Sequence, residues 1–451
     1  MIVPPGRWHW GLILFAAATL AVGVTLWSRN DLRSARWNLT PALQEGVGPQ
    51  IVRGPYLQNV TTTSAVVRWR TGSALSPAIT LRIKDESIDA GDGPVVGADE
   101  PTSAGTEHEV AIAGLRPGTN YEYSVGDEKT REAWGFRTAP ATGAEQAPVR
   151  VWALGDFGTA SPGAISVRDS YLRYTHGQLP DVWLTLGDNA YNTGTDLEFQ
   201  AALFDTYRFI LSRLPLWPTR GNHDQTQSSG VVPYFDIFTL PKDGEAGGVA
   251  SGTESYYAFD HGPVHFVCLD SYATDRGAQG AMARWLVRDL KAAAAQWKVV
   301  FFHHPPYTRG THDSDRERTM TEMRTNFVPL FEAGGVDLVL SGHSHSYERT
   351  GLLRGFYGPT STFERKFKRA SGAKDVVFYK KAGANAGIVY VVAGAAGELG
   401  RRFMGLDHPA MDISVALLGS VALTFAAGTA VVEYVDANAQ VFDRFTIQKY
   451  P

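Results

Sequence analysis

Residues 182–191 read Val-Trp-Leu-Thr-Leu-Gly-Asp-Asn-Ala-Tyr, an apolar run that ends abruptly in a polar loop. Similar apolar runs precede Gly155, His303 and Gly342, and an amphipathic pattern over residues 282–297 predicts a helix. Short apolar runs bounded by turns are typical of buried strands, and their alternation with helices predicts an α/β fold. In such sheets the residues just beyond the carboxyl ends of the strands converge on one shared site.

Five loops follow these runs, and each carries side chains that can bind a metal ion. They are Gly155-Asp156-Phe157-Gly158, Gly187-Asp188-Asn189-Ala190-Tyr191, Gly221-Asn222-His223-Asp224, His303-His304-Pro305-Pro306 and Gly342-His343-Ser344-His345. Glycine allows a sharp backbone turn, so we expect it to point each ligand side chain into a shared cavity. A single motif of this kind is most often a turn or a helix cap. Five in one order, each after an apolar run, indicate a functional site.

The donor atoms in these loops are carboxylate, amide and phenol oxygens and imidazole nitrogens. Cys268 is the only cysteine, so an intrachain disulfide and a thiolate zinc site are both excluded. It lies in the apolar run 264–269, where we expect it to be buried. Oxygen and imidazole donors without thiolate suit iron, manganese or zinc. The donors exceed the needs of one ion, so the sequence predicts two metals bridged by one carboxylate.

Composition narrows the class of protein further. The 451 residues allow two or three domains, and 44% hydrophobic with 20% charged residues fits a folded protein. Lys and Arg number 42 against 46 Asp and Glu, which gives a net charge of −4. This balance excludes a nucleic-acid-binding surface built on bulk positive charge, and we expect no nucleic-acid partner.

The region before the five loops has a different pattern. Residues 52–138 alternate apolar and polar side chains over short segments separated by turns, which predicts a small antiparallel sandwich with Trp69 in its core. Residues 139–148 carry no hydrophobic period and predict an interdomain linker. The catalytic domain is expected to span residues 149–450.

The first residues predict targeting out of the cytoplasm. Residues 11–27 carry no charge and are flanked by arginines, so residues 1–36 are expected to be a secretory signal or an uncleaved membrane anchor. Either reading places the rest of the chain in the periplasm or outside the cell, with membrane contact only through this segment. A second apolar stretch, residues 413–432, is interrupted by Gly and Thr and is expected to form buried sheet instead.

The order of the five motifs resembles the metallophosphoesterases, and Tyr191 in its motif resembles the purple acid phosphatases in particular. The segment Leu115-x-Pro-Gly-Thr-x-Tyr121 is similar to the tyrosine corner of fibronectin type III-like domains, and the run that begins at Arg53 is similar to the start of the N-terminal domain of many purple acid phosphatases. This resemblance covers roughly residues 52–450. It implies a layered β-sandwich flanked by helices, preceded by a small all-β fibronectin III-like sandwich.

The resemblance also implies roles for nine residues. Asp156, Asp188, Tyr191 and His345 would hold a first, ferric ion, and Asp188 would bridge to a second ion, Fe²⁺, Zn²⁺ or Mn²⁺, completed by Asn222, His303 and His343. His223 would lie near the phosphate and His312 would assist the leaving group as catalytic residues. The implied activity is that of an acid phosphatase, which hydrolyses small phosphomonoesters by attack of a metal-bound hydroxide.

Two alternative functions stay open at this point. One is a phosphodiesterase with the same metal site, and the other is an anchored surface protein that binds through its sandwich and has an inactive catalytic domain. The oligomeric state is also open.

Four further features have expected but lesser roles. At the position of Asp313, plant purple acid phosphatases often carry a second histidine. The sequence therefore does not determine the charge that this part of the site presents to the substrate. His304 is expected to pack or hydrogen-bond at the rim, and Asp224 to orient the ligands or His223. The basic stretch 365–381 is expected to be a solvated loop, with a rim that attracts anions as the alternative.

Overall fold

A computed structural model describes residues 50–84, 105–126, 132–141, 148–225, 232–381 and 386–450. The predicted signal or anchor at residues 1–36 lies outside the described residues, as does most of the predicted linker. Within the described ranges, no helix is both long and apolar enough to cross a membrane.

The N-terminal part forms two small antiparallel sheets. Its strands are β1 (Ile51–Gln58), β2 (Ser64–Leu75), β3 (Ile79–Ile83), β4 (Gly105–Ala113), β5 (Asn120–Val125) and β6 (Trp134–Arg137). They pair in the orders β1-β2-β4 and β3-β5-β6. Trp69 is buried in the core shared by the two sheets, as expected. The hydroxyl of Tyr121 accepts a hydrogen bond of 2.8 Å from the backbone N–H of Arg116, so the expected tyrosine corner is present.

The larger part contains two seven-stranded sheets and a two-stranded ribbon. Its strands are β7 (Val149–Leu154), β8 (Val182–Thr185), β9 (Leu216–Pro218), β10 (Tyr257–His261), β11 (Val264–Cys268), β12 (Trp297–Phe302), β13 (Leu338–Ser341), β14 (Tyr347–Thr350), β15 (Leu352–Leu353), β16 (Lys368–Ala370), β17 (Val376–Lys381), β18 (Val389–Ala393), β19 (Met411–Val415), β20 (Gly419–Ala426), β21 (Thr429–Asp436) and β22 (Val441–Tyr450). The sheet orders are β17-β22-β21-β20-β7-β8-β9 and β10-β11-β12-β13-β18-β14-β19, and β15 pairs with β16. The apolar stretch 413–432 is therefore strand, as predicted.

Short helices connect these strands. The α-helices are α1 (Pro162–Tyr174), α2 (Asp196–Phe199), α3 (Thr206–Leu211), α4 (Pro233–Ile237), α5 (Ala281–Ala292), α6 (Arg318–Glu322) and α7 (Val328–Ala333). π-helical turns at Gln200–Asp205 and Met323–Phe327 join α2 to α3 and α6 to α7, and 3₁₀ turns lie at Thr360–Thr362 and Arg365–Phe367. The helix predicted over residues 282–297 ends early, because residues 293–296 leave the helix and Trp297 begins β12.

Alternate side chains along β12 lie in two different hydrophobic cores, one on each face of the sheet. Successive strand residues point to opposite faces of a sheet. Val299 and Phe301 therefore lie in the core between the two large sheets, whereas Val300 and Phe302 pack in a second core with helix residues such as Trp285. Both faces of this strand are buried, which is why its sequence is apolar throughout.

Because several strands in each large sheet are parallel, the loops that carry the predicted site lie at the same end of the strands in each sheet. Strands β7, β8 and β9 run parallel in one large sheet, and β11, β12, β13 and β18 run parallel in the other. Cys268 ends β11 and is fully buried, as expected. The loops after β7, β8, β9, β12 and β13 carry the five motifs, so the carboxyl ends of strands from both sheets contribute to one site.

The N-terminal sheets pack against the segment that follows Tyr191. Arg53 is buried, pairs with Asp196 at 2.8 Å, and lies 4.5 Å from the centre of the Phe204 ring. The hydroxyl of Tyr123 donates to the backbone oxygen of Ser212 at 2.8 Å. These contacts fix the N-terminal part on the side of the fold that bears α2 and α3.

The basic stretch 365–381 is only partly the solvated loop that was expected. Lys366 is exposed, but Lys380 is buried and pairs with Asp337 at 2.8 Å. Lys368 pairs with Asp412 at 2.7 Å. The interpretation as solvated charge is wrong for Lys380, because β17 carries it into the interior on the inward side of the strand.

A buried charge triad joins β10, β11 and α5. His265 contacts Asp260 at 2.7 Å and Asp289 at 2.8 Å. Burial opposes a charge on His265, but hydrogen bonds to the two carboxylates outweigh it and raise the pKa of the ring to about 9.

This triad predicts an alkaline loss of stability. Because the folded pKa lies above the ordinary value of 6.5, the stabilisation is complete below pH 6.5 and is lost as the pH rises through about 9. The free energy of unfolding, measured in urea at several pH values, should fall by on the order of 2 kcal/mol over this window. The variant His265→Gln should lack this slope, and the exposed His176→Asn should retain it. An identical slope in His265→Gln would contradict the assignment.

Candidate metal centre

Four of the predicted ligands form one cluster. The phenol oxygen of Tyr191 lies 3.1 Å from Oδ1 of Asp156, 2.9 Å from Oδ2 of Asp188 and 3.2 Å from Nε2 of His345. His345 Nε2 also lies 3.4 Å from Asp156 Oδ1. The residues that the resemblance assigns to the first ion are thus brought together.

The other predicted ligands form a second, adjoining cluster. Nε2 of His303 lies 3.0 Å from Oδ1 of Asn222, 3.4 Å from Oδ2 of Asp188 and 3.2 Å from Nδ1 of His343. His303 is fully buried and His343 nearly so. These are the four residues that the resemblance assigns to the second ion.

Oδ2 of Asp188 is common to both clusters. It contacts the Tyr191 phenol on one side and His303 Nε2 on the other. Its partner oxygen Oδ1 accepts a hydrogen bond of 2.8 Å from the backbone N–H of His223. One oxygen therefore orients the carboxylate, and the other is placed where a bridging ligand would have to be.

Other hydrogen bonds fix the remaining ligands in the same way. Oδ2 of Asp156 accepts from the backbone N–H of His343 at 2.7 Å, which leaves Oδ1 for the first cluster. Nδ1 of His303 donates to the Leu186 carbonyl at 2.8 Å, so Nε2 is the nitrogen that faces the second cluster.

Asp224 ties two of the loops together. Its buried carboxylate accepts hydrogen bonds from the backbone N–H groups of Gly221, Asn189 and Ala190 and from the Asn189 amide. The expectation that Asp224 orients the ligands agrees with these contacts. The alternative that it orients His223 lacks support, because the ring nitrogen Nδ1 of His223 instead lies 2.7 Å from the carbonyl of Asn192.

The backbone at this site is strained at the ligands themselves. Asp156, Asp188 and His343 have φ of 58°, 53° and 65°, a region that non-glycine residues rarely adopt. The expectation that the glycines make the turns is therefore wrong for Gly221 and Gly342, which do not have positive φ. Glycine is needed there because a Cβ on Gly221 would lie 2.1 Å from Asp188 Oδ1, and one on Gly342 would lie 2.5 Å from Asp156 Oδ2.

The arrangement of acceptors fits metal ions. The Nε2 atom of His303 faces a carboxylate oxygen, an amide oxygen and an imidazole nitrogen, all within 3.4 Å. Hydrogen-bond acceptors repel one another at such distances unless a cation lies among them. Geometry alone also groups Asp156, Asp188 and His303 as side chains that could hold a metal ion.

Burial and the neighbouring carboxylates shift the pKa values of three of the predicted ligands. Burial opposes a charge on His303, but the carboxylates of Asp188 and Asp156 outweigh it and raise its pKa to about 9. Burial lowers the pKa of His343 to about 4. Burial and the same two carboxylates raise the pKa of the Tyr191 phenol well above its ordinary value. The two carboxylates therefore favour positive charge on His303 and disfavour negative charge on Tyr191, whereas burial favours a neutral His343.

The two predicted catalytic histidines lie beside the clusters. The His223 ring packs 4.4 Å from the Tyr191 ring, and its Nε2 lies 4.0 Å from Oδ2 of Asp188. The His312 ring lies 3.9 Å from the His343 ring. Both side chains are about one-third exposed, so both can meet a ligand from solvent.

Two neighbouring residues differ from expectation. His304 is buried and not at the rim; its ring lies 4.4 Å from that of His343, and Nδ1 bonds the Ser271 hydroxyl at 3.0 Å. Asp313 is buried and turned away from the histidines, with Oδ1 accepting from the backbone N–H of Asp315 at 3.0 Å.

Sequence reasoning missed Glu317, whose carboxylate contacts both His312 and His343. It belongs to no motif and lies in a loop, so only the observation that acidic residues near histidines often orient them could have suggested it.

Comparisons with known proteins agree with this geometry. Residues 149–347 match the family described as calcineurin-like phosphoesterase, and residues 53–138 match the purple acid phosphatase N-terminal domain. The chain therefore carries a calcineurin-like phosphoesterase domain preceded by a domain that matches the purple acid phosphatase N-terminal domain.

Several curated relatives are similar to the chain. Purple acid phosphatase 15 of Arabidopsis thaliana is 30% identical over 280 residues, which cover 55% of this chain and 50% of that protein. Probable purple acid phosphatase 20 of the same plant is 26% identical over 75% of this chain and 78% of the relative. Acid phosphatase type 7 of Homo sapiens is 29% identical over 54% of this chain and 56% of the relative. For two of these three relatives, the match spans about half of their length.

A solved structure supports the fold. The purple acid phosphatase PPD1 of yellow lupin (Lupinus luteus) seeds superposes with a TM-score of 0.67 at 18% identity, over 89% of this chain and 74% of that chain. The predicted fold class, a metallophosphoesterase fold with an N-terminal all-β part, is confirmed.

The close approach at Gly221 predicts a specific loss of metal. In Gly221→Ala the new methyl group would displace Asp188, so metal bound per chain, measured by elemental analysis, should fall below half of the wild-type value. Overpacking of this kind costs about 1–3 kcal/mol of stability, so the melting temperature should fall as well. Gly135→Ala is the control, because its Cβ would meet only ordinary contacts at 3.6 Å. Full metal content in Gly221→Ala would contradict the geometry.

Proposed function

We propose that this chain is a metal-dependent acid phosphatase that hydrolyses small phosphomonoesters. The observation that carries the proposal is the position of Asp188 Oδ2, which contacts one complete donor cluster on each side. Two cations held on either side of one carboxylate are the arrangement that phosphoryl-transfer hydrolases use.

The donor types support different ions in the two clusters. Asp156, Asp188 and Tyr191 offer three anionic oxygens beside His345, which suits a hard ferric ion. Asn222, His303 and His343 are neutral ligands and, with Asp188, suit divalent iron, zinc or manganese. When bound, such ions supply Lewis-acid activation of water and neutralise charge on the phosphoryl oxygens.

The chain's own residues would handle substrate binding and proton transfer. His223 Nδ1 donates to the carbonyl of Asn192, so its Nε2 is the nitrogen left to face a phosphoryl oxygen above the Asp188 carboxylate, to which it would donate when the ring is an imidazolium. His312 has a comparable exposed edge and would give a proton to the leaving oxygen. Tilted ring contacts with Tyr191 and His343 help to hold the His223 and His312 rings in place.

The domain limits and the location of the protein belong to the same proposal. We keep residues 52–138 as the N-terminal domain, 139–148 as the linker and 149–450 as the catalytic domain. An extracytoplasmic site of action, with residues 1–36 as signal or anchor, rests on the sequence pattern alone.

Loss of the shared carboxylate tests the proposed reaction. The full chain, prepared with iron plus zinc or manganese, should release phosphate from a simple aryl phosphomonoester faster than it cleaves the diester analogue. Asp188→Asn should lose at least about 100-fold in kcat/KM, more than the 10- to 100-fold that outer-shell partners cost. The surface variant Asp181→Asn, whose carboxylate lies near Arg150, should keep wild-type rates.

The rate of cleavage of the diester analogue distinguishes between the remaining alternative functions. Faster cleavage of the diester would make the chain a phosphodiesterase, and cleavage of neither ester by folded, metal-loaded protein would favour the binding-protein alternative.

The proposed role of His312 predicts dependence on the leaving group. His312→Asn should lower kcat for an alkyl phosphate, whose leaving alkoxide needs a proton, by roughly 10²–10⁴-fold. The loss should be much smaller for an aryl phosphate with an acidic phenol. A rate assay with both substrates, with His176→Asn as the control, checks this. Equal losses on both substrates would contradict the role of proton donor.

A further inference from the structure

Glu317 is an acidic side chain outside the five motifs that contacts two histidines of the site at once. Its Oε1 lies 2.6 Å from Nδ1 of His312, and its Oε2 lies 3.0 Å from Nε2 of His343. It directly precedes helix α6. Its backbone N–H bonds the Asp313 carbonyl at 3.3 Å, and its carbonyl accepts from Thr321 at 2.9 Å, so the backbone on both sides of it is held.

The chemistry of a carboxylate assigns the protons on both rings. An ionised carboxylate can only accept hydrogen bonds, so each imidazole nitrogen that faces it must carry a proton. Each oxygen of Glu317 lies within hydrogen-bond distance of one ring nitrogen, Oε1 of His312 Nδ1 and Oε2 of His343 Nε2. Nδ1 of His312 and Nε2 of His343 are therefore donors.

The opposite nitrogens are then the reactive ones. Nδ1 of His343 is left without a proton and lies 3.2 Å from His303 Nε2, inside the second cluster. Nε2 of His312 is left free of Glu317 at the partly exposed edge of its ring, where it would carry the transferable proton when the ring is an imidazolium. A single carboxylate thus determines which atom of His343 faces a metal ion and which atom of His312 faces a substrate.

We infer that Glu317 is a positioning residue that sets the ring orientation and tautomer of both His343 and His312, and so couples the second metal site to the proposed proton donor. The part that concerns His312 rests on the proposed phosphatase function, whereas the part that concerns His343 needs only metal binding. Asp313, the nearer neighbour of His312 in sequence, cannot replace it because its carboxylate is turned toward Asp315 and Arg316.

Glutamine at this position gives a sharp test. The amide of Glu317→Gln has one acceptor and one donor, so it can satisfy only one of the two N–H groups that the carboxylate accepts. If it donates toward His343, the proton of that ring moves to Nδ1 and the nitrogen cannot bind metal. Glu322→Gln is the matched control, since Glu322 lies on α6 and its carboxylate accepts hydrogen bonds from Arg276 and Arg318.

The experiment is a calorimetric titration of metal-free full-length chain with zinc alone, together with kcat and KM for an alkyl and an aryl phosphate. In Glu317→Gln one of the two zinc sites should lose about 10- to 100-fold in affinity, with the other site and the melting temperature of the metal-free chain unchanged. The kcat for the alkyl phosphate should fall more than that for the aryl phosphate, with little change in KM. Glu322→Gln should match the wild type in every measurement.

Two results would overturn the inference. One is wild-type zinc affinity at both sites in Glu317→Gln, and the other is an equal loss at both sites with a lower melting temperature, which would make Glu317 merely structural. A wild-type chain that binds two zinc ions but hydrolyses neither ester would instead refute the proposed function, and the zinc titration would still test the role of Glu317 toward His343.

Discussion

Electrostatic repulsion among acceptor atoms is the constraint around which this fold is organised. Asp156, Asp188, Asn222, His303 and His343 direct carboxylate, amide and imidazole atoms to one place, within 3.4 Å of their neighbours. Such a cluster is unfavourable when every acceptor is unprotonated, and positive charge among its atoms stabilises it. These groups are held in place by three features of the fold. The two large sheets bring the loops together, the buried carboxylate of Asp224 joins two of the loops, and backbone N–H groups bond the outer carboxylate oxygens of Asp156 and Asp188.

At the metal centre, the backbone conformation that positions the ligands also lowers the stability of the fold. A residue with a side chain at φ near +60° costs of order 1–3 kcal/mol, and Asp156, Asp188 and His343 all adopt that region. The strain is maintained because Gly221 and Gly342 allow the neighbouring loops to approach more closely than any side chain would permit. The two effects belong together, since relaxing the strained residues would move the ligands apart.

Much of this arrangement could be predicted from the sequence because it follows from local rules. Apolar runs ending in polar loops give parallel strands, and the carboxyl ends of parallel strands meet, so the convergence of the five motifs needed no further information. The buried Cys268, the sandwich around Trp69 and the strands within 413–432 follow in the same way from alternation and hydrophobicity. The assignment of individual ligands to individual ions stays a prediction.

The features that sequence reasoning missed depend on contacts between distant segments. Glu317 meets His343 across a sequence separation of 26 residues, and no local pattern marks it. His304 is buried because the Ser271 loop covers it, and Lys380 because Asp337 offers it a partner. The end of helix α5 at Ala292 was also missed, because the apolar Trp297 continues the helical period while belonging to the next strand.

The order of strands in one large sheet has a consequence for how the protein is made. β7, which precedes the first ligand Asp156, pairs with β8 on one side and with β20 on the other, and β20 begins only at Gly419. A ribosome delivers the chain from its N-terminus, so β7 has an open edge throughout the synthesis of all seven candidate ligands. An exposed strand edge is a template for mispairing, and so the nascent chain needs protection until its last strands emerge.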